Sequence, residues 1–458
     1  MAQPQTAGTK PRIKLNYIQI FLIGLGFLAS SLAWAIYNTQ VPLILRDRFM
    51  QSNTAIGVIM TIDNFFGVIF QPVIGAWSDG TRSRIGRRLP WIAVGIPLCA
   101  FFFAIIPLQH RLMTFMGAVI AFNLIMSLWR SPVIALMPDV TPRPLRSSAN
   151  GIINLMGGFG SVIAFFIGGI LSDMRDDKFY AFLMGSILMV LSLLVLLKFV
   201  REPDALNYKE EKGIAIKDTV ANRWARSSRR DMIATRRIIT EEGDEEQQAA
   251  KQKENRFAPF LALPRSVKIS LLAILVAILA WFMGYNAIET FFTLFATSTY
   301  NMTDGQATMM LTGFSMAFLV FAYPAGLIGQ KLGRKKTILI GLVGIVLLFL
   351  PILLRPSQTL LQILLIGGGF AWACININSL PMVVEFASDE TIGAFTGYYY
   401  LFSFTAAIVS PILYGFIQDR TQDFGLLFFY AVICFAVALI SMFFVRHGDY
   451  VDSSKEDA

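Results

Sequence analysis

The chain has 458 residues, of which 55% are hydrophobic and only 15% are charged, and its formal net charge is +9. Soluble domains carry about a quarter charged residues, so this composition excludes an ordinary soluble protein. A basic chain also suggests nucleic-acid binding. Here, however, the basic residues lie between apolar runs, where anionic lipid attracts them, and we expect no nucleic-acid partner.

Twelve apolar runs are each long enough to cross a hydrocarbon layer of roughly 30 Å as a helix. The first run is too long for a signal peptide and lacks a cleavage site, so we expect it to be retained. The sequence therefore predicts an all-α, multi-pass integral membrane protein whose main partner is the lipid bilayer. The predicted spans lie near residues 17–37, 54–77, 90–108, 114–136, 150–171 and 180–199, and near 268–295, 306–328, 337–354, 359–384, 393–416 and 425–445.

The basic residues also predict an orientation. If the N-terminus is cytoplasmic, the cytoplasmic segments hold 29 Lys and Arg residues and the outer loops hold 7. Lys and Arg accumulate on the cytoplasmic side of membrane proteins, and one missed or extra helix would destroy this asymmetry. We therefore expect both termini in the cytoplasm and the protein in the inner or plasma membrane of the cell.

A charged segment divides the spans into two groups of six. We predict an N-terminal six-helix bundle over 1–199, a cytoplasmic loop over 200–266, a C-terminal six-helix bundle over 267–446 and a cytoplasmic tail over 447–458. The loop is interpreted either as a linker with surface helices or as a regulatory, partner-binding segment.

The two groups of spans repeat each other in sequence. The pair Tyr37-Asn38 recurs as Tyr285-Asn286 at an offset of 248, and four further residues are matched by identical or similar residues at an offset of 246. Parallel six-helix repeats place a substrate site between the halves near the middle of the bilayer. The four residues are Asp139, Gly151, Gly169 and Asp173, which correspond to Glu385, Gly397, Gly415 and Asp419.

Two loops carry a related motif. The loop after the second span reads GAWSDGTRSRIGRRLP over residues 75–90, and the loop after the eighth reads GLIGQKLGRKK over 326–336. Both resemble the signature of the major facilitator superfamily. Four extra residues precede Gly86 in the first copy, and Gln330 stands in place of the acid in the second. The resemblance implies the twelve-helix major facilitator fold.

The motif residues are candidates for a gate. Glycine permits close helix approach, and a carboxylate or an arginine at a helix end can pair with a neighbouring helix terminus. A basic loop that only sets the topology is the alternative. The gating candidates are Gly75, Asp79, Arg82, Gly86, Arg87, Arg88, Asp139, Arg146, Gly326, Gly333 and Arg334.

Further stretches narrow the resemblance. The insertion before Gly86, together with residues 135–139, 146–151 and 396–400, is similar to bacterial members of the sucrose–proton symporter branch, near the glycoside–pentoside–hexuronide cation symporters. This similarity implies cation-coupled uptake of a sugar, often a disaccharide. Gly67 and Gln71 stand where melibiose-type proteins carry the two acids of their sodium site, which favours protons.

Three ionisable residues lie well inside the spans: Asp63, Arg130 and Glu289. A charge at a helix centre costs roughly 2.5–3.5 kcal/mol on insertion and marks a functional candidate. Arg130 lies nine residues from Asp139, about 13 Å along a helix, which places it near the middle of the membrane. We interpret these three residues as candidates for proton coupling. A fixed ion pair or an interfacial acid is the structural alternative.

Aromatic and amide side chains within the spans are candidates for sugar binding, because a pyranose offers both C–H patches and hydroxyl groups. Hydrogen bonding between helices would explain the amides equally well. The candidates are Trp34, Tyr37, Asn38, Gln40, Trp129, Asn150, Asn154, Trp281, Tyr285, Asn286, Trp372, Asn376 and Asn378.

The remaining reactive residues do not suggest catalysis. Cys99, Cys374 and Cys434 all fall inside spans without metal or redox spacing, and the two histidines lie in loops. We expect no enzyme activity, no cofactor, no bound metal and a monomeric protein. The leading hypothesis is a proton-coupled sugar or glycoside symporter that works by alternating access. The alternatives are a major facilitator carrier of another substrate, such as a drug or lipid exporter, and a non-transporting membrane sensor.

Reporter fusions test the predicted orientation. Fusions at residue 230 and at the C-terminus should report a cytoplasmic location, and a fusion at residue 176 should report an external one, as the distribution of Lys and Arg requires. A C-terminus found outside would contradict the twelve-span topology.

Overall fold

The computed structural model describes residues 17–141, 146–200, 202, 258–387 and 391–447. These residues form helices without strands, and twelve helices are long and apolar enough to cross a membrane. The predicted fold class is therefore confirmed. The helices are α1 (Tyr17–Asp47), α2 (Asn53–Gly80), α3 (Leu89–Leu108), α4 (Leu112–Val140), α5 (Arg146–Ser172), α6 (Phe179–Phe199), α7 (Arg265–Tyr300), α8 (Asp304–Leu332), α9 (Arg334–Leu354), α10 (Gln358–Val384), α11 (Ile392–Thr421) and α12 (Leu426–Phe443).

Several helices are longer than the predicted spans. The first span is predicted to end at residue 37, yet α1 continues to Asp47. Hydropathy falls at Asn38, Thr39 and Gln40 because these side chains are polar, but the helix continues because they face protein rather than lipid. In the same way α7 begins at Arg265, inside the predicted 200–266 loop. Apart from Val200, Glu202 and residues 258–266, that loop lies outside the described residues.

The packing of the first half (α1–α6) repeats in the second half (α7–α12). In the first half α1 packs on α5 and α6, α3 on α4 and α6, and α2 on α4. In the second half α7 packs on α11 and α12, α9 on α10 and α12, and α8 on α10. Across the halves α5 packs on α8, α11 on α2 and α1 on α7. The internal repeat seen in the sequence thus extends to the helix contacts.

The two halves meet at one end and separate at the other. We call the end where α1 begins the terminal face and the opposite end the distal face. Gly151 and Gly169 lie 18 residues apart on α5, about five turns, and therefore share one helix side. A Cβ at Gly169 would lie 2.9 Å from the backbone oxygen of Gly305 in α8, whereas one at Gly151 would meet no described atom within 4 Å.

The same comparison holds on α11. A Cβ added at Gly415 would clash with the carbonyl group of Asn53, but one at Gly397, 18 residues away, would meet no described atom within 4 Å. The interface between the halves is therefore closed at the distal face and open at the terminal face.

A cluster of charges at the terminal face joins α2, α3 and α4. Arg87 donates to both oxygens of Asp139, at 2.7 and 3.2 Å, and Arg88 donates to Asp139 at 3.0 Å. Arg88 also pairs with Asp79 and Ser78 on α2. All of these partners belong to the first half. A role for the cluster in gating remains a prediction.

Glu202, which follows α6, completes this cluster and was absent from the sequence-based candidates. Its carboxylate accepts hydrogen bonds of 2.8–3.0 Å from the backbone N–H groups of Arg87, Arg88 and Leu89, at the start of α3. Gly86 has a φ of +125°, and a side chain there would clash with Glu202. Glycine at this position thus permits both the backbone turn and the approach of the carboxylate.

The second half has a smaller counterpart of this cluster. Arg334 donates to Glu385 at 2.6 Å and to the carbonyl of Pro381 at 2.8 Å. Gly333 has a φ of +91° between α8 and α9. The remaining gating candidates have the following positions. Gly75 and Gly326 lie within α2 and α8, Arg82 is exposed, and the side chain of Arg146 lies outside the described residues.

Replacement of Glu202 tests its structural role. Glu202→Gln should lower the stability of the purified protein by about 1–3 kcal/mol, because one carboxylate oxygen becomes an amide N–H that faces backbone donors. Thermal unfolding in detergent measures the change, with Asp176→Asn on an exposed loop as the control. Equal melting temperatures for Glu202→Gln and the control would contradict this role.

Candidate functional site

A cavity of about 350 Å³ lies between the two halves. Its volume is in the range of sites for small molecules. Both halves supply polar side chains, and all three ionisable residues predicted inside the spans line it. The polar lining includes Ser31, Trp34, Asn38, Asp63, Asn64, Arg130 and Ser161 from the first half, and Tyr285, Asn286, Glu289 and Ser315 from the second.

One hydrogen bond crosses this cavity between α1 and α7. The Nδ2 atom of Asn38 donates to Oε1 of Glu289 over 3.2 Å. Next to it, Oγ1 of Thr293 donates to the backbone oxygen of Thr39 at 3.1 Å. Glu289 therefore forms part of the contact between the halves and also faces the cavity. A change in the charge of Glu289 would therefore alter both the contact between the halves and the cavity.

Arg130 reaches the cavity from α4. Its guanidinium lies 5.7 Å from the centre of the Trp34 ring, within the range of a cation–π contact. It interacts electrostatically with Asp63. The described residues supply no hydrogen-bond acceptor to its guanidinium. The five N–H donors of arginine are thus directed to a cavity rather than used in a fixed ion pair.

Asp63 stands on α2, across the cavity from Glu289. Asn64 donates to its carboxylate at 2.9 Å, and Asp63 interacts electrostatically with both Arg130 and Glu289. Two carboxylates and one guanidinium therefore share the cavity. Its formal charge is −1 with both acids ionised and zero when one of them carries a proton.

Aromatic rings flank the polar groups. Trp34 and Tyr285 line the cavity from opposite halves. Tyr285 is stacked on Trp372, with ring centroids 4.4 Å apart and an interplanar angle of 6°. Trp372 itself is buried behind it. The cavity thus combines flat apolar surfaces with hydrogen-bonding groups.

Several predicted binding residues lie behind the cavity, in contacts between helices. The buried hydroxyl of Tyr37 accepts a hydrogen bond from Asn123 at 3.2 Å. Gln40 donates to Thr308 on α8 at 2.9 Å, and Asn378 donates to the backbone of Ala325 at 3.2 Å. In the described state these three side chains bond neighbouring helices to one another. Hydrogen bonding between helices was the alternative to sugar binding in the sequence analysis.

The remaining candidates are also outside the cavity lining. Trp129 and Trp281 are fully buried. Asn376 is half-buried on α10, and Asn150 and Asn154 are exposed on the terminal part of α5. The structure therefore brings together Trp34, Asn38, Tyr285 and Asn286 with the three ionisable residues.

Sequence reasoning missed the hydroxyl residues Ser31, Ser161 and Ser315, and also Asn64. Serine is common in membrane helices because it can bond to its own backbone, so its presence carries little signal. Asn64 directly follows Asp63, a predicted coupling residue, and this adjacency was the sequence feature that could have indicated its place in the cavity. Among the described residues, no group of three or more His, Cys, Asp or Glu side chains is positioned to hold a metal ion.

Comparison with known proteins agrees with this architecture. The family described as Major Facilitator Superfamily matches residues 23–310 and 274–458 of the chain. The inward-open structure of the xylose transporter XylE from E. coli superposes with a TM-score of 0.68 at 14% identity, and the alignment covers 95% of this chain and 97% of that one. At this identity the likeness shows the fold.

Two similar proteins align with very different fractions of this chain. An uncharacterized symporter of Synechocystis sp. is 39% identical over 97 residues, which are 19% of this chain and 18% of that protein, so the match spans under a fifth of the relative's length. The class E tetracycline resistance protein of Escherichia coli is 22% identical over 445 residues, 95% of each chain.

Proposed function

The chain belongs to the major facilitator superfamily, and from this premise we propose that it is a proton-coupled symporter that takes up a sugar or glycoside by alternating access. The observation that carries the proposal is the cavity between the halves, where Asp63, Glu289 and Arg130 stand among aromatic and amide side chains. The proposed transporter acts as a monomer in the inner or plasma membrane.

The charges of the cavity support proton coupling. Two carboxylates with one guanidinium leave one negative charge, which a proton neutralises before the cavity closes to water. Closure of a charged cavity is costly because ions lose their hydration. Glu289 is the better candidate of the two acids for linking protonation to movement, because its hydrogen bond from Asn38 joins α1 to α7. Its protonation would weaken that bond and so link the proton to the contact between halves.

The polar lining supports a sugar as the substrate. A pyranose needs both donors and acceptors for its hydroxyl groups and a flat apolar surface for its C–H groups. Arg130 and the amide nitrogens of Asn38 and Asn286 supply donors, the carboxylates supply acceptors, and Trp34 and Tyr285 supply ring faces. The resemblance of residues 135–139 and 146–151 to sucrose–proton symporters favours the same class.

The distribution of basic residues supports the direction of transport. With the terminal face in the cytoplasm, the Lys and Arg asymmetry follows the usual rule. The described state, closed at the distal face, is then inward-facing, the state in which a symporter releases its cargo. Both termini and the charged 200–266 segment lie in the cytoplasm in this proposal.

Export of a drug-like compound is the second candidate. It is favoured by the full-length similarity to a protein named for tetracycline resistance. The two candidates predict opposite movements. A sugar symporter accumulates its substrate inside cells, and an exporter lowers the concentration of its substrate there.

Transport into proteoliposomes tests the proposal. An imposed inward proton gradient should drive accumulation of at least one member of a panel of mono- and disaccharides, and an inward sodium gradient should not, because Gly67 and Gln71 replace the acids of a sodium site. A thermal-shift screen with the same panel at two pH values identifies the sugar to use. Sodium-driven uptake would overturn proton coupling, and proton-driven tetracycline movement without sugar binding would favour the second candidate.

Replacement of Arg130 tests its role in the cavity. Arg130→Lys should reduce proton-driven accumulation at least about tenfold, because lysine keeps the charge but loses the planar fork that holds two acceptors, and one charged hydrogen bond is worth roughly 1.5–3 kcal/mol. Uptake and surface abundance are measured together. Arg355→Lys serves as the matched control, because Arg355 forms an exposed ion pair with Asp423 outside the cavity.

The structural alternative makes a different prediction for Arg130→Lys. An arginine that only balances a neighbouring carboxylate should tolerate lysine, since the charge is kept. Normal accumulation by a well-expressed Arg130→Lys protein would therefore show that the guanidinium has a scaffold role.

A further inference from the structure

We propose that Asp173 and Asp419 form a paired distal gate, in which each carboxylate closes the distal face by binding the first turn of a helix in the opposite half. This inference rests on the alternating access proposed above. The two residues occupy equivalent places in the sequence repeat, at an offset of 246. Neither takes part in the cavity.

Asp419, at the distal end of α11, binds the start of α2. Its Oδ1 atom accepts from the backbone N–H of Asn53 at 2.7 Å and from the amide of the same residue at 3.0 Å. Its Oδ2 atom accepts from the backbone N–H of Thr54 at 2.8 Å and from its hydroxyl at 2.5 Å. All four donors belong to the first half, whereas Asp419 belongs to the second.

Asp173, at the distal end of α5, forms the reciprocal contact with the start of α8. Its Oδ1 atom accepts from the backbone N–H of Gly305 at 2.7 Å, and its Oδ2 atom accepts from the hydroxyl of Thr303 at 2.5 Å. The first N–H groups of a helix have no partner within the helix, and a negative charge there also interacts favourably with the helix dipole. Both contacts therefore satisfy groups that the opposite half leaves unpaired.

A glycine one turn before each aspartate allows this approach. Gly169 precedes Asp173 and packs against Gly305, and Gly415 precedes Asp419 and packs against Asn53. A Cβ at Gly415 would clash with the backbone of Asn53. The repeated Gly-x-x-x-Asp segment thus supplies both the space and the acceptor for a helix of the opposite half.

These bonds can form only when the distal face is closed. On the same sides of α5 and α11, five turns away, a Cβ added at Gly151 or Gly397 would meet no described atom within 4 Å. Any motion that opens the distal face must separate α5 from α8 and α11 from α2, and must therefore break both carboxylate contacts. The contacts of the two aspartates therefore exist only in the state in which the distal face is closed.

Distances between spin labels at the distal ends of α4 and α10 test the proposal. Labels at Met113→Cys in the first half and Thr359→Cys in the second, in a variant whose three native cysteines are replaced by alanine, should report mainly the short distance of the closed distal face. Asp173→Asn and Asp419→Asn should each raise the ratio of long to short distances about five- to tenfold, and the double variant should raise it further. Asparagine cannot keep both acceptors, because each carboxylate uses both oxygens.

Matched variants separate this gate from general effects of charge and packing. Asp423→Asn removes the same charge from the distal face, but Asp423 pairs with Arg355 within the second half, so the distances should not change. Gly415→Ala should raise the long-distance fraction by steric exclusion, and Gly397→Ala on the same helix should not.

Two outcomes would overturn the inference: unchanged distances in Asp173→Asn, Asp419→Asn and the double variant, whatever Gly415→Ala shows, or an equal shift in Asp423→Asn. The measurement needs no substrate. Failure of the wild-type protein to accumulate a sugar would therefore contradict the proposed function alone, while the distance distributions would still decide the gate.

Discussion

Hydrogen-bonding groups in a hydrocarbon layer have no water to bind, and this constraint decides where polar residues stand in the structure. On α1 the polar run of Asn38, Thr39 and Gln40 lies between the two halves, where Glu289 and Thr308 bind two of its side chains. The guanidinium of Arg130, which makes no hydrogen bond to the described residues, faces the cavity. In the proposed function, a polar solute supplies partners for this guanidinium.

The two faces of the protein differ in whether their polar contacts lie within one half or join the two halves. At the terminal face, arginines pair with carboxylates within a half, as Arg88 does with Asp139 and Arg334 with Glu385. At the distal face, carboxylate contacts join the two halves: Asp419 and Asp173 accept from backbone N–H groups of the opposite half, and Lys178 forms an ion pair with Asp304. Contacts within a half can persist while the halves move, whereas contacts between halves must be exchanged. Each half can therefore behave as a rigid unit during the proposed cycle.

The helix packing follows the internal repeat, but the charged side chains of the cavity depart from it. Helix contacts and the glycine and aspartate positions recur in both halves. In contrast, the residue equivalent to Arg130 at the offset of 246 is Asn376, and the residue equivalent to Glu289 at the offset of 248 is Val41. The charged cavity is thus asymmetric within a nearly symmetric fold. A single proton and a single arginine can act there without a duplicate in the other half.

The sequence by itself determined the class of the protein, its twelve helices and the three ionisable residues of the cavity, because the cost of polar groups in lipid is local and can be read from each segment. It also marked Asp173 and Asp419 as repeats. Only the tertiary structure decided that Asn38 meets Glu289, that Tyr37, Gln40 and Asn378 bind neighbouring helices, and that Glu202 binds the start of α3. The reason is physical. An amide has the same composition whether its partner is a solute or a helix, and the partner is chosen by contacts between residues distant in sequence.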